Sequence, residues 1–110
     1  MDLETIRNYA LQKEGAEECF PFGADTLVYK AWGKIFMICG MDRHPPELNL
    51  KCLPERAIEL REAYSSIVPG YHMNKKHWNT VCADHSIPRE LVFELIDHSF
   101  ELVAPKKKKK

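Results

Sequence analysis

Residues 26–31 and 34–39, TLVYKA and KIFMIC, are two runs rich in strand formers with only Trp32-Gly33 between them. A two-residue connection is the length of the tightest hairpin turn, so the runs must pair antiparallel. A sheet started this way has to find cover for its apolar face, and the rest of the chain is read for what supplies it. Leu48, Leu50 and Cys52 alternate with Asn49 and Lys51, the period of a half-buried strand. Residues 77–82 read as another strand, with Trp78, Thr80 and Cys82 on one side and Asn79 and Val81 on the other. Earlier, 18–22 is short and aromatic, and Pro21 confines any strand there to an edge or a bend.

Three segments have helical spacing. Asp2 can cap a first helix whose stripe is Leu3, Ile6, Tyr9 and Ala10, with Gly15 ending it. Pro54 opens a second, with Ala57, Leu60, Ala63 and Tyr64 facing inward and Glu55, Arg56, Glu59, Arg61 and Glu62 on a solvated face. Ser86, followed by Pro88, caps a third with the broad stripe Leu91, Val92, Leu95, Ile96, Phe100 and Val103, and Pro105 stops it. This order predicts an α+β fold, a mostly antiparallel sheet with helices packed on one face. Residues 1–105 are expected to form a single domain, followed by a disordered tail, Lys106 to Lys110.

Charge and cysteine usage narrow the function. The chain is formally neutral, but five of its lysines are the tail, so residues 1–105 carry 11 basic against 16 acidic side chains, a formal −5. Affinity for nucleic acid comes largely from cations set against phosphates, so an acidic body argues against strong binding. No basic segment leads into an apolar run and cleavage site, and no window approaches a membrane span, so a cytoplasmic protein without membrane contact is expected. Cys19, Cys39, Cys52 and Cys82 contain no CxxC pair and are read as reduced thiols in or near the core.

One stretch stands apart in composition. Residues 69–80, PGYHMNKKHWNT, hold two His, two Lys, two Asn, a Tyr and a Trp with no acidic residue. Lys75 and Lys76 can meet phosphates, Asn74 and Asn79 base edges or phosphate oxygens, and Tyr71 or Trp78 can stack. Arg43 and His44, in a loop stiffened by Pro45 and Pro46, would extend the surface, as would Lys34. The same residues admit a structural role: Trp78 as a core anchor, Asn74 as a turn residue, the lysines as an exposed hairpin end. A metal site from His72, His77, Cys82, His85 and His44 lacks two close ligand pairs, and a lysine couple opposes it. No nucleophile elbow or phosphate loop accompanies Cys82 or any histidine. His98, beside Asp97, reads as a surface or boundary side chain.

FPFGADTLVYK from Phe20, LNLKCLPERAIELRE from Leu48, PGYHMNKKHWNTV from Pro69 and ELIDHSFELV from Glu94 together resemble the MmcQ/YjbR family of small bacterial proteins. The resemblance implies a curved antiparallel sheet whose loops make a double-wing shape, similar to a phage transcription factor's DNA-binding domain. It implies no enzymatic activity and no cofactor. Its hallmark positions fall on Asn49, Lys51 and the run Gly70, Tyr71, His72, Met73, Asn74, Lys75, Lys76, His77, Trp78 and Asn79. Leu53 departs from the family pattern, where an acidic residue precedes the helix proline.

The reading is therefore a monomeric, non-enzymatic, metal-free module that binds DNA weakly through Tyr71, His72, Asn74, Lys75, Lys76, His77, Trp78 and Asn79, supported by Arg43 and Lys51. Its rival is a module recognising an acidic peptide, protein or small anion in the groove beside residues 70–79. A third reading makes His72 or His77 an acid-base group, because an imidazole titrates near neutrality.

Overall fold

A computed structural model describes residues 1–42, 44–70 and 73–105, so Arg43, Tyr71, His72 and the lysine tail lie outside it. Three helices, α1 (Leu3–Leu11), α2 (Pro54–Ala63) and α3 (Arg89–Val103), accompany six strands. The strands are β1 (Glu17–Cys19), β2 (Thr26–Ala31), β3 (Lys34–Gly40), β4 (Glu47–Lys51), β5 (Ile67–Pro69) and β6 (Trp78–Cys82). They form one sheet in the order β1-β2-β3-β4-β6-β5, every neighbouring pair antiparallel. The α+β architecture expected from the sequence is the one observed.

The β2–β3 hairpin turns at Trp32 and Gly33, both in the left-handed region with φ of 53° and 75°. Two left-handed residues in succession match the twist of the strands they join. For Trp32 that backbone costs about 1–2 kcal/mol, offset by its ring against Phe100 of α3, centroids 5.2 Å apart. Farther along the hairpin, Tyr29 pairs with Met37 while Lys30 pairs with Ile35, leaving Phe36 as the extra residue of a bulge. The bulge turns Phe36 and Met37 both inward, where each is fully buried. Phe36 meets Phe100 edge-on at 5.3 Å.

Register sorts the sheet into two faces. Leu27, Tyr29, Met37, Cys39, Leu48, Leu50, Val81 and Ile67 share the covered one and join Ile6, Ala10, Ala57, Leu60, Val92, Leu95 and Ile96 in the core. Lys51, Trp78, Asn49, Thr80 and Val68 share the opposite face. Ser99, wholly buried, ties α3 to the sheet: its hydroxyl donates to the Phe36 carbonyl at 2.5 Å and accepts from the Lys51 N–H at 2.9 Å. At the sheet's first edge Arg7 grips Glu18 with two bonds of 3.1 Å, and the Tyr29 hydroxyl donates to the same carboxylate at 2.5 Å. Burial pushes the Glu18 carboxyl up, but those donors outweigh it and hold it below its ordinary value.

Several expectations need correction. The third helix begins without a side-chain cap, at Pro88; Ser86 instead donates to Asp84, with its backbone N–H at 2.9 Å and its hydroxyl at 2.6 Å. Ala63 is exposed rather than inward. The short edge strand β5 was not expected, and it ends at Pro69, whose missing N–H suits an edge. The first helix ends at Leu11, four residues before Gly15, which turns the following loop with φ 76°. All four cysteines are unpaired, Cys39 and Cys52 in the core; burial pushes the Cys39 thiol up to about 12.

Candidate nucleic-acid interface

The cationic stretch forms the connection between β5 and β6. Its base is closed by Gly70 N–H donating to the Trp78 carbonyl at 2.9 Å. Gly70 is required there by space: a Cβ would lie 2.8 Å from Trp78 Cβ and 3.1 Å from its carbonyl oxygen. Within the loop, Met73 N–H donates to the Gly70 carbonyl at 3.3 Å and His77 N–H to the Asn74 carbonyl at 3.2 Å. The Asn74 side-chain oxygen accepts from Lys76 N–H at 2.9 Å, an Asx turn that commits that oxygen to shaping the loop. Lys75 Nζ reaches back to the Gly70 carbonyl at 3.1 Å. The His77 carbonyl accepts from Cys52 N–H at 2.8 Å, which fixes the hairpin to the end of β4.

The brace of this hairpin is Arg61, in the last turn of α2. Its Nε donates to Asn79 Oδ1 at 2.7 Å, and its Nη2 to the carbonyls of Lys75 and, at 3.5 Å, Trp78. Read from the sequence as part of a solvated face, Arg61 is half-buried and fastened to the cationic loop. The available signal was its position four residues after buried Ala57, on the border of the inward stripe. Arg56, placed on the same wet face, instead pairs with Glu94 of α3.

The ten residues named for binding are therefore dispersed. Lys75, Lys76 and Asn74 are exposed on the hairpin, and His77 and Trp78 are half-buried at its foot. Lys51 joins them across the strand pair, its Nζ 6.0 Å from the Trp78 ring centroid and its backbone held by Ser99. Trp78 thus lies on the uncovered face of the sheet, paired with Lys51, rather than among the helices. Asn79 is on the other face, 2% exposed, its oxygen taken by Arg61 and its Nδ2 without a partner. That placement takes it off the contact surface. Arg43, Tyr71 and His72 lie outside the described residues.

The described ion pairs lie away from the hairpin: Arg7–Glu18, Lys13–Asp97 and Arg56–Glu94 brace helices to the body. Among the described residues, Lys51, Lys75 and Lys76 have no carboxylate partner; Lys75 Nζ is held by the Gly70 carbonyl and Lys51 Nζ lies over the Trp78 ring. No described cluster of three or more His, Cys, Asp or Glu side chains could hold a metal ion, and no described helix is long and apolar enough to cross a membrane.

An antiparallel sheet with helices on one face and a braced cationic hairpin at one end defines a small α+β module. The chain belongs to the YjbR family, whose model matches residues 11–102. It is 43% identical over 100 residues to the uncharacterized protein YbdF of Escherichia coli O157:H7, covering 91% of this chain and 82% of that one. To the uncharacterized protein YjbR of Escherichia coli K12 it is 31% identical over 101 residues, covering 92% and 86%. The crystal structure of Deinococcus radiodurans protein DR2400 is similar at a TM-score of 0.89 and 39% identity, covering 99% of this chain and 83% of that one. The names of these relatives state no catalytic activity.

Proposed function

We propose that the chain is a DNA-binding module that contacts duplex phosphates through the β5–β6 hairpin. The observation that carries this reading is the group Lys51, Lys75 and Lys76. Three ammonium groups, without carboxylate partners among the described residues, sit on or beside a loop that Arg61 holds in one shape. Preorganised cations lose less entropy on binding than unrestrained ones would. Half-buried Trp78 backs Lys51, whose Nζ lies over its ring at 6.0 Å. His77 and Asn74 supply polar contacts. The double-wing shape implied by the family resemblance suits this use, since it puts a loop of the sheet where a groove can receive it.

Binding on these terms is weak. Three phosphate contacts give a slope of about −2 to −3 in log K against log salt, and the formal −5 of residues 1–105 opposes the approach of a polyanion. Fluorescence anisotropy of a labelled duplex, titrated at several salt concentrations with the full chain and with residues 1–105, tests the reading. The shorter chain is expected to retain salt-sensitive binding that Lys75→Ala with Lys76→Ala removes. Binding that needs only residues 106–110, or that ignores the double substitution, overturns it.

A further inference from the structure

At the opposite end of β4 and β6 from the hairpin is a cleft of about 690 Å³. Three segments meet there: the first turn of α1, the loop before β4, and the link from β6 into α3. A smaller recess of about 280 Å³ shares its Asp84, His85 and Arg89 and runs down to buried Ile87 and Val92. The larger volume falls in the range of pockets that hold small organic molecules.

The polar groups of the cleft are not evenly available. Asp84 is saturated by the protein itself: Oδ1 accepts from Ser86 N–H at 2.9 Å and from its hydroxyl at 2.6 Å, while Oδ2 accepts from the Ser66 hydroxyl at 2.8 Å. Those donors keep its carboxyl below the ordinary value, so it remains an anion with both oxygens engaged. Asp2 Oδ1 is likewise used, accepting from Thr5 N–H at 2.9 Å as the cap of α1. The donors are in the contrary state. Neither His44 nor His85 has a described hydrogen-bond partner, and both are exposed to the cleft. Arg89 has no described ion pair; its guanidinium lies over the Phe93 ring at 5.5 Å, and Phe93 in turn stacks on Tyr9 at 4.3 Å. A guanidinium over an aromatic ring keeps its N–H groups for an acceptor. The remaining wall is made by Met1 and Thr5 on one side and the apolar Pro45, Pro46 and Ala83 on the other.

We propose that this cleft binds a small organic anion, a carboxylate or phosphate group meeting Arg89 and His85 while an apolar ring lies against Pro45 and Pro46. An anion is favoured over a cation because the carboxylates there already have donors, while the guanidinium and imidazoles have no acceptors among the described residues. The site is separate from the hairpin and does not rest on the DNA reading.

Calorimetry and ¹H–¹⁵N correlation spectra of the full chain with benzoate, phenyl phosphate and benzyl alcohol test it. At least one of the two anions is expected to shift the amides of 84–89 and His44 saturably, and whichever binds better identifies the headgroup. The neutral alcohol is expected to do so at least tenfold more weakly. Arg89→Gln, at an exposed position and with its fold checked by the same spectra, should weaken the anion about tenfold or more, as loss of a charge-assisted bond does. Lys75→Ala with Lys76→Ala should leave it unchanged. The proposal is overturned if neither anion gives a saturable shift, if the alcohol binds as well, if Arg89→Gln has no effect, or if the shifts fall on 73–78 instead.

Discussion

Replacing Arg61 by Met tests whether the hairpin's shape is imposed from α2. The side chain keeps its aliphatic packing but loses the fork that holds Asn79 Oδ1 and the carbonyls of Lys75 and Trp78. A hydrogen bond to a charged group contributes about 1.5–3 kcal/mol, and the bond to Asn79 is the one shielded from water. Its loss also leaves Asn79, 2% exposed, with neither end of its amide paired. The bond to Lys75 is exposed and that to Trp78 is long at 3.5 Å, and they add about 0.5 kcal/mol each at most. Arg61→Met is therefore expected to lower the unfolding free energy by about 2–3 kcal/mol, read from urea denaturation. Arg61→Lys, a point charge without the fork, should recover less than half of that.

The same variant links structure to function. All three lysines remain, so the salt slope for DNA should be unchanged, while a hairpin that must be ordered on binding loses affinity. Ordering the backbone of one residue costs about 1–2 kcal/mol, a loss of roughly 5–30-fold. Faster hydrogen exchange at the Gly70 amide, which bonds the Trp78 carbonyl, would report the loosening directly. The reasoning is refuted if stability changes by less than about 0.5 kcal/mol, the range of an ordinary surface position. Loosening without loss of affinity would separate the brace from binding.

Three further perturbations follow from single contacts. Leu53, 51% exposed, is the uncapped N-cap of α2; Leu53→Asp is expected to add about 1 kcal/mol, seen as a rise in Tm of about 4–8 °C. Ser99→Ala removes the hydroxyl that serves both the Phe36 carbonyl and the Lys51 N–H and should cost about 2 kcal/mol or more in urea. His98 Nε2 accepts from Leu53 N–H at 3.3 Å, and burial, with Arg56 nearby, holds its pKa below the ordinary 6.5. A group depressed on folding favours the neutral native state, so its contribution is full above 6.5 and is lost as pH falls through the lower folded value. His98→Gln keeps an acceptor that does not titrate, and the stability difference between pH 7.5 and 5.5 should shrink in that variant.

Strand and helix positions were legible wherever a periodic pattern met a turn. The Trp32-Gly33 turn, the alternation of Leu48, Leu50 and Cys52, and the long stripe of α3 needed no tertiary information. β5 was not legible, because three residues ending in proline have no period of their own and become a strand only beside β6. The sidedness of residues 78–82 was read correctly, and by it Asn79 already shared a face with Val81, the core side. Composition drew Asn79 into the contact set against that alternation. Arg61 shows the converse limit: a charge beside a charge run reads as solvated until the loop it holds is folded against it. His98 read as a boundary residue and is one, but its service to the start of α2 depends on a contact 45 residues away in sequence.

The hairpin's role is tested most directly by mapping amide shifts in the full chain as a short, unlabelled duplex is added at low salt. Shifts concentrated on Met73 to Trp78 and on Lys51, fading as salt is raised, are the expected result. No shift at these positions, or shifts confined to 106–110 or to the face covered by the helices, would contradict the account.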